Sequence, residues 1–190
     1  MIETWRLILV GISVFSFLFI IFQKLKEDYS REDVVSFSLL TLLLGGVLVF
    51  LSFYFSLELE LVFSILSLVL STFCFSYFRG WRFWDTLESL SLPGLIVLLI
   101  VSFNQLTAGP LLITILSSLF WKRYRSFHWY QSGRVGFLFL ALLATLALFS
   151  LLLDFWQGRL LKLAVWLAVL IITLVAIFFL SERKKTSLAN

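Results

Sequence analysis

Few side chains in this 190-residue chain could do chemistry, and most of them sit at the ends of long apolar runs. Asp154 closes one such run, with Arg159 and Lys162 just beyond it. An acid so placed is either one half of an interfacial ion pair with Arg159 or a functional intramembrane carboxylate. Asn104, Gln105 and Thr107 form a neutral polar run ending in Gly109-Pro110, which reads as a plain turn or as a polar pocket facing lipid headgroups. His128 is the single histidine. As a general base it would need a carboxylate or nucleophile within hydrogen-bond reach, and its neighbours in sequence offer none. Cys74, the single cysteine, excludes a disulfide framework or a zinc cluster, and reads as a small buried apolar residue. No ligand cluster implies a metal or a cofactor.

The elements that carry these residues follow from composition. The chain is 61% apolar and only 14% charged, with mean hydropathy +1.05. Soluble domains run at about 45–50% apolar and about 25% charged. A water-soluble globule is therefore excluded. Crossing a bilayer takes about 20 apolar residues per helix, and the runs predict seven spans, at about 5–22, 34–55, 61–78, 87–103, 108–121, 135–155 and 160–180. The fifth is short for a span. The fold class expected is all-α, a polytopic helical bundle forming one integral membrane domain over 1–190.

Basic residues set the orientation, because cytoplasmic loops retain them. With the N-terminus outside, the inner segments hold Lys24, Lys26, Arg31, Arg79, Arg82, Lys122, Arg123, Arg125, Arg134, Arg183, Lys184 and Lys185. The outer segments hold only Arg6, Arg159 and Lys162. The C-terminus then lies in the cytoplasm of a bacterial inner membrane. In the first span the charge follows the apolar run and no small-residue cleavage site comes after it, so it reads as a retained helix.

The segment KRYRSFHWYQSGR interleaves Lys122, Arg123 and Arg125 with Tyr124, Phe127, Trp129 and Tyr130. Aromatic rings settle at the membrane surface and cations hold phosphates, so this loop is expected to anchor on the inner leaflet. The net charge of +4 favours anionic lipid over nucleic acid. Asp33 is expected to cap the second helix, and Asp85 and Glu88 to open the fourth, where negative charge suits a helix N-terminus. Pro93-Gly94 marks the start of the fourth helix or a kink in it, and Gly45-Gly46 should let a neighbouring helix approach closely.

The order of these pieces resembles the bacterial prolipoprotein diacylglyceryl transferase family. The likeness rests on the charged first inner loop KLKEDYSREDVV, the paired glycines of the second helix, the WDTLESLSLPGL start of the fourth, KRYRSFHWYQSGRVGFLFLALL, and the final helix followed by SERKK. It spans nearly the whole chain. The resemblance implies a phosphatidylglycerol donor and a lipoprotein precursor whose cysteine thiol accepts the diacylglyceryl group. The family's histidine-glycine-glycine signature is missing, however. Where its arginine-containing glycine-rich motif should fall, this chain has SFNQLTAG, and its sixth-helix motif aligns with Leu146, Ala147, Ser150 and Asp154, of which only the acid remains. Each type of contribution lost is worth roughly 10²-fold or more in rate. The expectation is a degenerate member that lacks the catalytic residues and binds phospholipid or a partner membrane protein, with a weakly active transferase as the alternative. A small transporter is a third reading, disfavoured by span centres bare of ionisable groups.

Overall fold

A computed structural model describes residues 2–54, 59–101, 105–121, 123 and 135–181. Among the described residues the chain is all-helical, with no strand. The helices are α1 (Ile2–Leu25), α2 (Arg31–Tyr54), α3 (Glu60–Arg79), α4 (Phe83–Val101), α5 (Gln105–Trp121), α6 (Phe137–Trp156) and α7 (Leu160–Ser181). Three of them contain stretches long and apolar enough to cross a membrane: Leu61–Arg79, Phe137–Trp156 and Leu160–Ser181. Val14–Leu25 and Ala108–Trp121 are shorter apolar segments.

Each expected span falls on one helix, but several helix starts differ for local reasons. The cap of α2 is Ser30, not Asp33: the Asp33 backbone N–H donates to Ser30 Oγ at 3.2 Å, and the Val34 N–H to the Ser30 carbonyl at 3.0 Å. Arg31, Glu32 and Asp33 thus form the first turn, with the two acids where the helix dipole favours them. Helix α4 starts at Phe83, so Pro93 lies inside it rather than at its beginning. Helix α5 starts at Gln105, which places Gly109 and Pro110 within the helix instead of in the expected turn. Pro110 is the sixth residue of α5, past the first turn, and so gives up the ladder bond to the Leu106 carbonyl.

The chain forms two compact units, Met1–Leu111 and Leu112–Asn190. In the first, α2 packs along α3 and α1 along α4, with lesser contacts of α1 with α2 and of α3 with α4. Its buried side chains include Ile21, Leu25, Val34, Phe37, Leu87 and Leu90. Only one of the paired glycines brings helices together. A Cβ on Gly45 would meet Ser67 Oγ at 3.2 Å, whereas Gly46 is exposed with nothing within 4 Å. In the second unit α6 and α7 form a hairpin. Helix α6 is largely enclosed while α7 is mostly uncovered, its Leu167, Ile171, Leu174 and Phe178 facing outward.

Hydroxyl side chains within the helices mostly turn back on their own backbone. Ser38 donates to the Val34 carbonyl, Thr41 to Phe37, Ser71 to Ser67, Thr72 to Leu68, Thr145 to Ala141 and Thr173 to Val169, all at 2.7–2.9 Å. A hydroxyl has one proton to donate, so in each of these the donor is already committed.

Candidate functional site

Chemistry-bearing side chains meet at two chain reversals, one in each unit. In the second unit the reversal joins α6 to α7. Gly158 takes a left-handed conformation at φ 67°. Its N–H bonds to the Phe155 carbonyl at 3.2 Å, and the Arg159 N–H to the Asp154 carbonyl at 3.0 Å. These are the paired bonds of a Schellman termination, which glycine adopts without a Cβ penalty. The same turn carries Arg159 beside Asp154, with Nη1 3.8 Å from Oδ1. Asp154 is the one buried charged residue among the described residues, 4% exposed.

Each charge of this pair opposes a helix dipole. Asp154 lies in the last turn of α6, where the dipole is negative. Arg159 precedes α7, whose first turn is tied to it by the Leu163 N–H at 3.0 Å from the Arg159 carbonyl, and the dipole there is positive. Either charge alone would be disfavoured, and together they neutralise each other. Lys162, half-buried, adds a second cation in the first turn of α7. Between the paired residues, Gln157 Oε1 is buried without a hydrogen-bond partner. Further along α6, away from this reversal, the Trp121 indole N–H at the end of α5 donates to Thr145 Oγ1 at 3.2 Å.

In the first unit the reversal from α3 to α4 is aromatic. Gly80 ends α3 at φ 70°, and the Trp81 N–H turns back to the Phe75 carbonyl at 3.4 Å. The Trp81 ring, 5% exposed, stacks on Tyr29 with centroids 4.0 Å apart and also meets Phe37 at 5.0 Å and Phe75 at 4.9 Å. The Tyr29 hydroxyl accepts the Arg82 backbone N–H at 3.1 Å and bonds Thr86 Oγ1 at 3.2 Å. Arg79 Nε lies 3.4 Å from Asp33 Oδ1, and Arg82 Nη1 3.9 Å from Asp85 Oδ2.

Sequence reasoning missed this aromatic cluster. A local signal existed, because a glycine just past a helix, followed by an apolar residue that packs back on the last turns, is the pattern of a Schellman-type end. The participation of Tyr29 has no such signal. Tyr29 belongs to the charged loop KLKEDYSREDVV, and its partner Thr86 is 57 residues away.

Of the other residues singled out from sequence, Asn104, Lys122, Arg125, His128, Trp129 and Tyr130 lie outside the described residues, and Gln105 is described only as the first residue of α5. Arg123 is exposed, its N–H 3.2 Å from the Phe120 carbonyl. The structure therefore brings together Asp154 and Arg159. Cys74 is half-buried rather than enclosed. Among the described residues no three His, Cys, Asp or Glu side chains converge as a metal site. What the two reversals can do is fix helix ends and present cations. No protein-family model matches the chain, and no curated protein or solved structure is detectably similar to it.

Proposed function

We propose that this chain is a non-enzymatic, seven-span protein of a bacterial inner membrane, with its N-terminus outside, which binds phospholipid or a partner membrane protein through its helices. It keeps the outline of a prolipoprotein diacylglyceryl transferase without that family's chemistry. The observation that carries the reading is how polar groups are used. Most hydroxyls inside the helices are committed to their own backbone, with Ser76 Oγ of α3 buried and unpartnered, and the one buried charged residue among the described residues, Asp154, is matched with Arg159 at a helix reversal. Diacylglyceryl transfer to a thiol forms a C–S bond at the glyceryl carbon as the C–O bond to the departing glycerol phosphate breaks, and needs a base to form thiolate and cationic donors to hold the leaving phosphate. The one buried carboxylate among the described residues already has Arg159 beside it, at 3.8 Å.

A weakly active transferase is the second reading, favoured by one feature: a buried acid with Arg159 beside it, and Lys162 in the next turn of chain, at an outer helix end. Diacylglyceryl transfer from labelled phosphatidylglycerol to a lipobox peptide in proteoliposomes separates the two. No transfer above empty liposomes is expected from the folded chain. Transfer that disappears in an Asp154→Ala, Arg159→Ala double variant would overturn the non-enzymatic reading and place a site at the α6–α7 turn.

A further inference from the structure

At the α6–α7 reversal the usual order of a turn is inverted. Its outward side chains are Phe155, Trp156, Leu160 and Leu161, all apolar and between 58% and 91% exposed. Its polar groups turn inward: Asp154 is buried with Arg159 beside it, and Gln157 Oε1 is buried as well. A turn that faces water shows the opposite order. The α3–α4 reversal does so, with Trp81 inside and Arg79 and Arg82 outside.

The backbone of the α6–α7 reversal does not call on water either. The N–H groups of Gln157, Gly158, Arg159 and Leu160 each donate to a backbone carbonyl, at 3.0–3.2 Å. Internal satisfaction of this kind is what a bilayer demands of backbone, and a charge at such depth must be paired. Length points the same way. The 20 residues of α6 rise about 30 Å, which is the thickness of the hydrocarbon core, so a spanning α6 ends at the core's edge and does not project into water. The exposed apolar surface of the tip also runs on into Leu148 and Leu152 of α6 and Leu167 and Ile171 of α7. In a spanning hairpin acyl chains cover those faces, and the same lipid continues over the tip.

We infer that the α6–α7 reversal is a lipid-binding tip, its backbone at the glycerol level of the outer leaflet and its Phe155, Leu160 and Leu161 side chains among the upper acyl chains. Trp156 lies at the headgroup level, where an indole settles and the aqueous phase still reaches. The contact between Asp154 and Arg159 then neutralises charge where water is scarce. The inference rests on the membrane reading of α6 and α7 and is independent of whether transfer occurs.

Fluorescence of the full chain reconstituted in phosphatidylglycerol–phosphatidylcholine vesicles tests it. In a Cys74→Ser background an environment-sensitive label is placed singly at Phe155→Cys, Leu161→Cys, Arg82→Cys or Ile172→Cys, the last exposed in the middle of α7. With iodide on both sides of the membrane, the Phe155→Cys and Leu161→Cys labels should be quenched several-fold less than the Arg82→Cys label. They should also emit further to the blue and be quenched by nitroxides on the upper acyl chains. Using one position on each helix, both with unchanged melting, separates the effect from local misfolding. Iodide quenching as strong at the tip as at Arg82→Cys would place the tip in water, and insensitivity to both quenchers would mean that protein covers it. Either result overturns the inference, while acyl-chain quenching at Ile172→Cys leaves the membrane reading standing. Loss of that quenching at Ile172→Cys would overturn the membrane reading itself.

Discussion

Two aspartate–arginine pairs in this protein look alike on paper and differ in what holds them. Asp33 lies in the first turn of α2 and Arg79 in the last turn of α3, so each charge sits where its own helix dipole favours it. Asp154 and Arg159 sit at the opposite ends, an acid at the end of α6 and a cation at the start of α7. The first pair would be comfortable without its partner, while the second exists only as a pair. The reversals they accompany differ in the same sense. The α3–α4 turn is held by the Trp81 ring cluster, with its ion pair as an exposed accessory, whereas the α6–α7 turn rests on the Schellman bonds and the carboxylate–guanidinium contact. An ion pair is informative when it occupies the wrong ends of its helices, because then it must be doing what the dipoles oppose.

The largest effect should come from the aromatic turn. Trp81→Ala removes a buried indole with three ring neighbours and should cost about 3–5 kcal/mol, read as a fall in midpoint in thermal or denaturant unfolding in detergent. A loss below about 1 kcal/mol would mean that the ion pair, not the rings, holds that reversal. Next, Asp154→Ala leaves a cation at a helix N-terminus and should cost about 2 kcal/mol, less than for a fully buried pair because Arg159 is 29% exposed. Adding Arg159→Ala should recover part of that loss.

Exchanging the partners sharpens the comparison. Asp154→Arg with Arg159→Asp puts each charge at its favoured end, and should raise stability by about 0.5–1 kcal/mol relative to the native pair. Asp33→Arg with Arg79→Asp should lower it by a similar amount. Changes of the same sign in both exchanges would remove the dipole argument. The smallest effect is expected from Asp33→Ala, less than about 1 kcal/mol, since Arg79 is 61% exposed and remains at a favourable end.

The helices themselves were legible because apolar runs of spanning length leave little alternative to α-structure when backbone groups must be satisfied internally. The meeting of Asp154 and Arg159 was legible too, being close in sequence across an evident turn. Their burial was not, since an acid at the end of a span reads equally well as exposed to headgroups. In the sequence Asp33 is the better-charged candidate for the α2 cap, and only the first-turn bonds single out Ser30. Gly45 and Gly46 look identical in sequence, yet the phase of α2 turns one toward Ser67 and the other outward. The Tyr29–Trp81 stack depends on which two loops share an end of the bundle, which no local pattern encodes.

The central claim is that these helices cross the membrane in alternation, and site-directed labelling tests it most directly. In a Cys74→Ser background, Lys26→Cys and Trp156→Cys place single thiols at exposed positions near the ends of α1 and α6. A membrane-impermeant maleimide added to intact spheroplasts should label Trp156→Cys at once, and Lys26→Cys only after permeabilisation. Labelling of both, or of Lys26→Cys alone, before permeabilisation would contradict the seven-span topology.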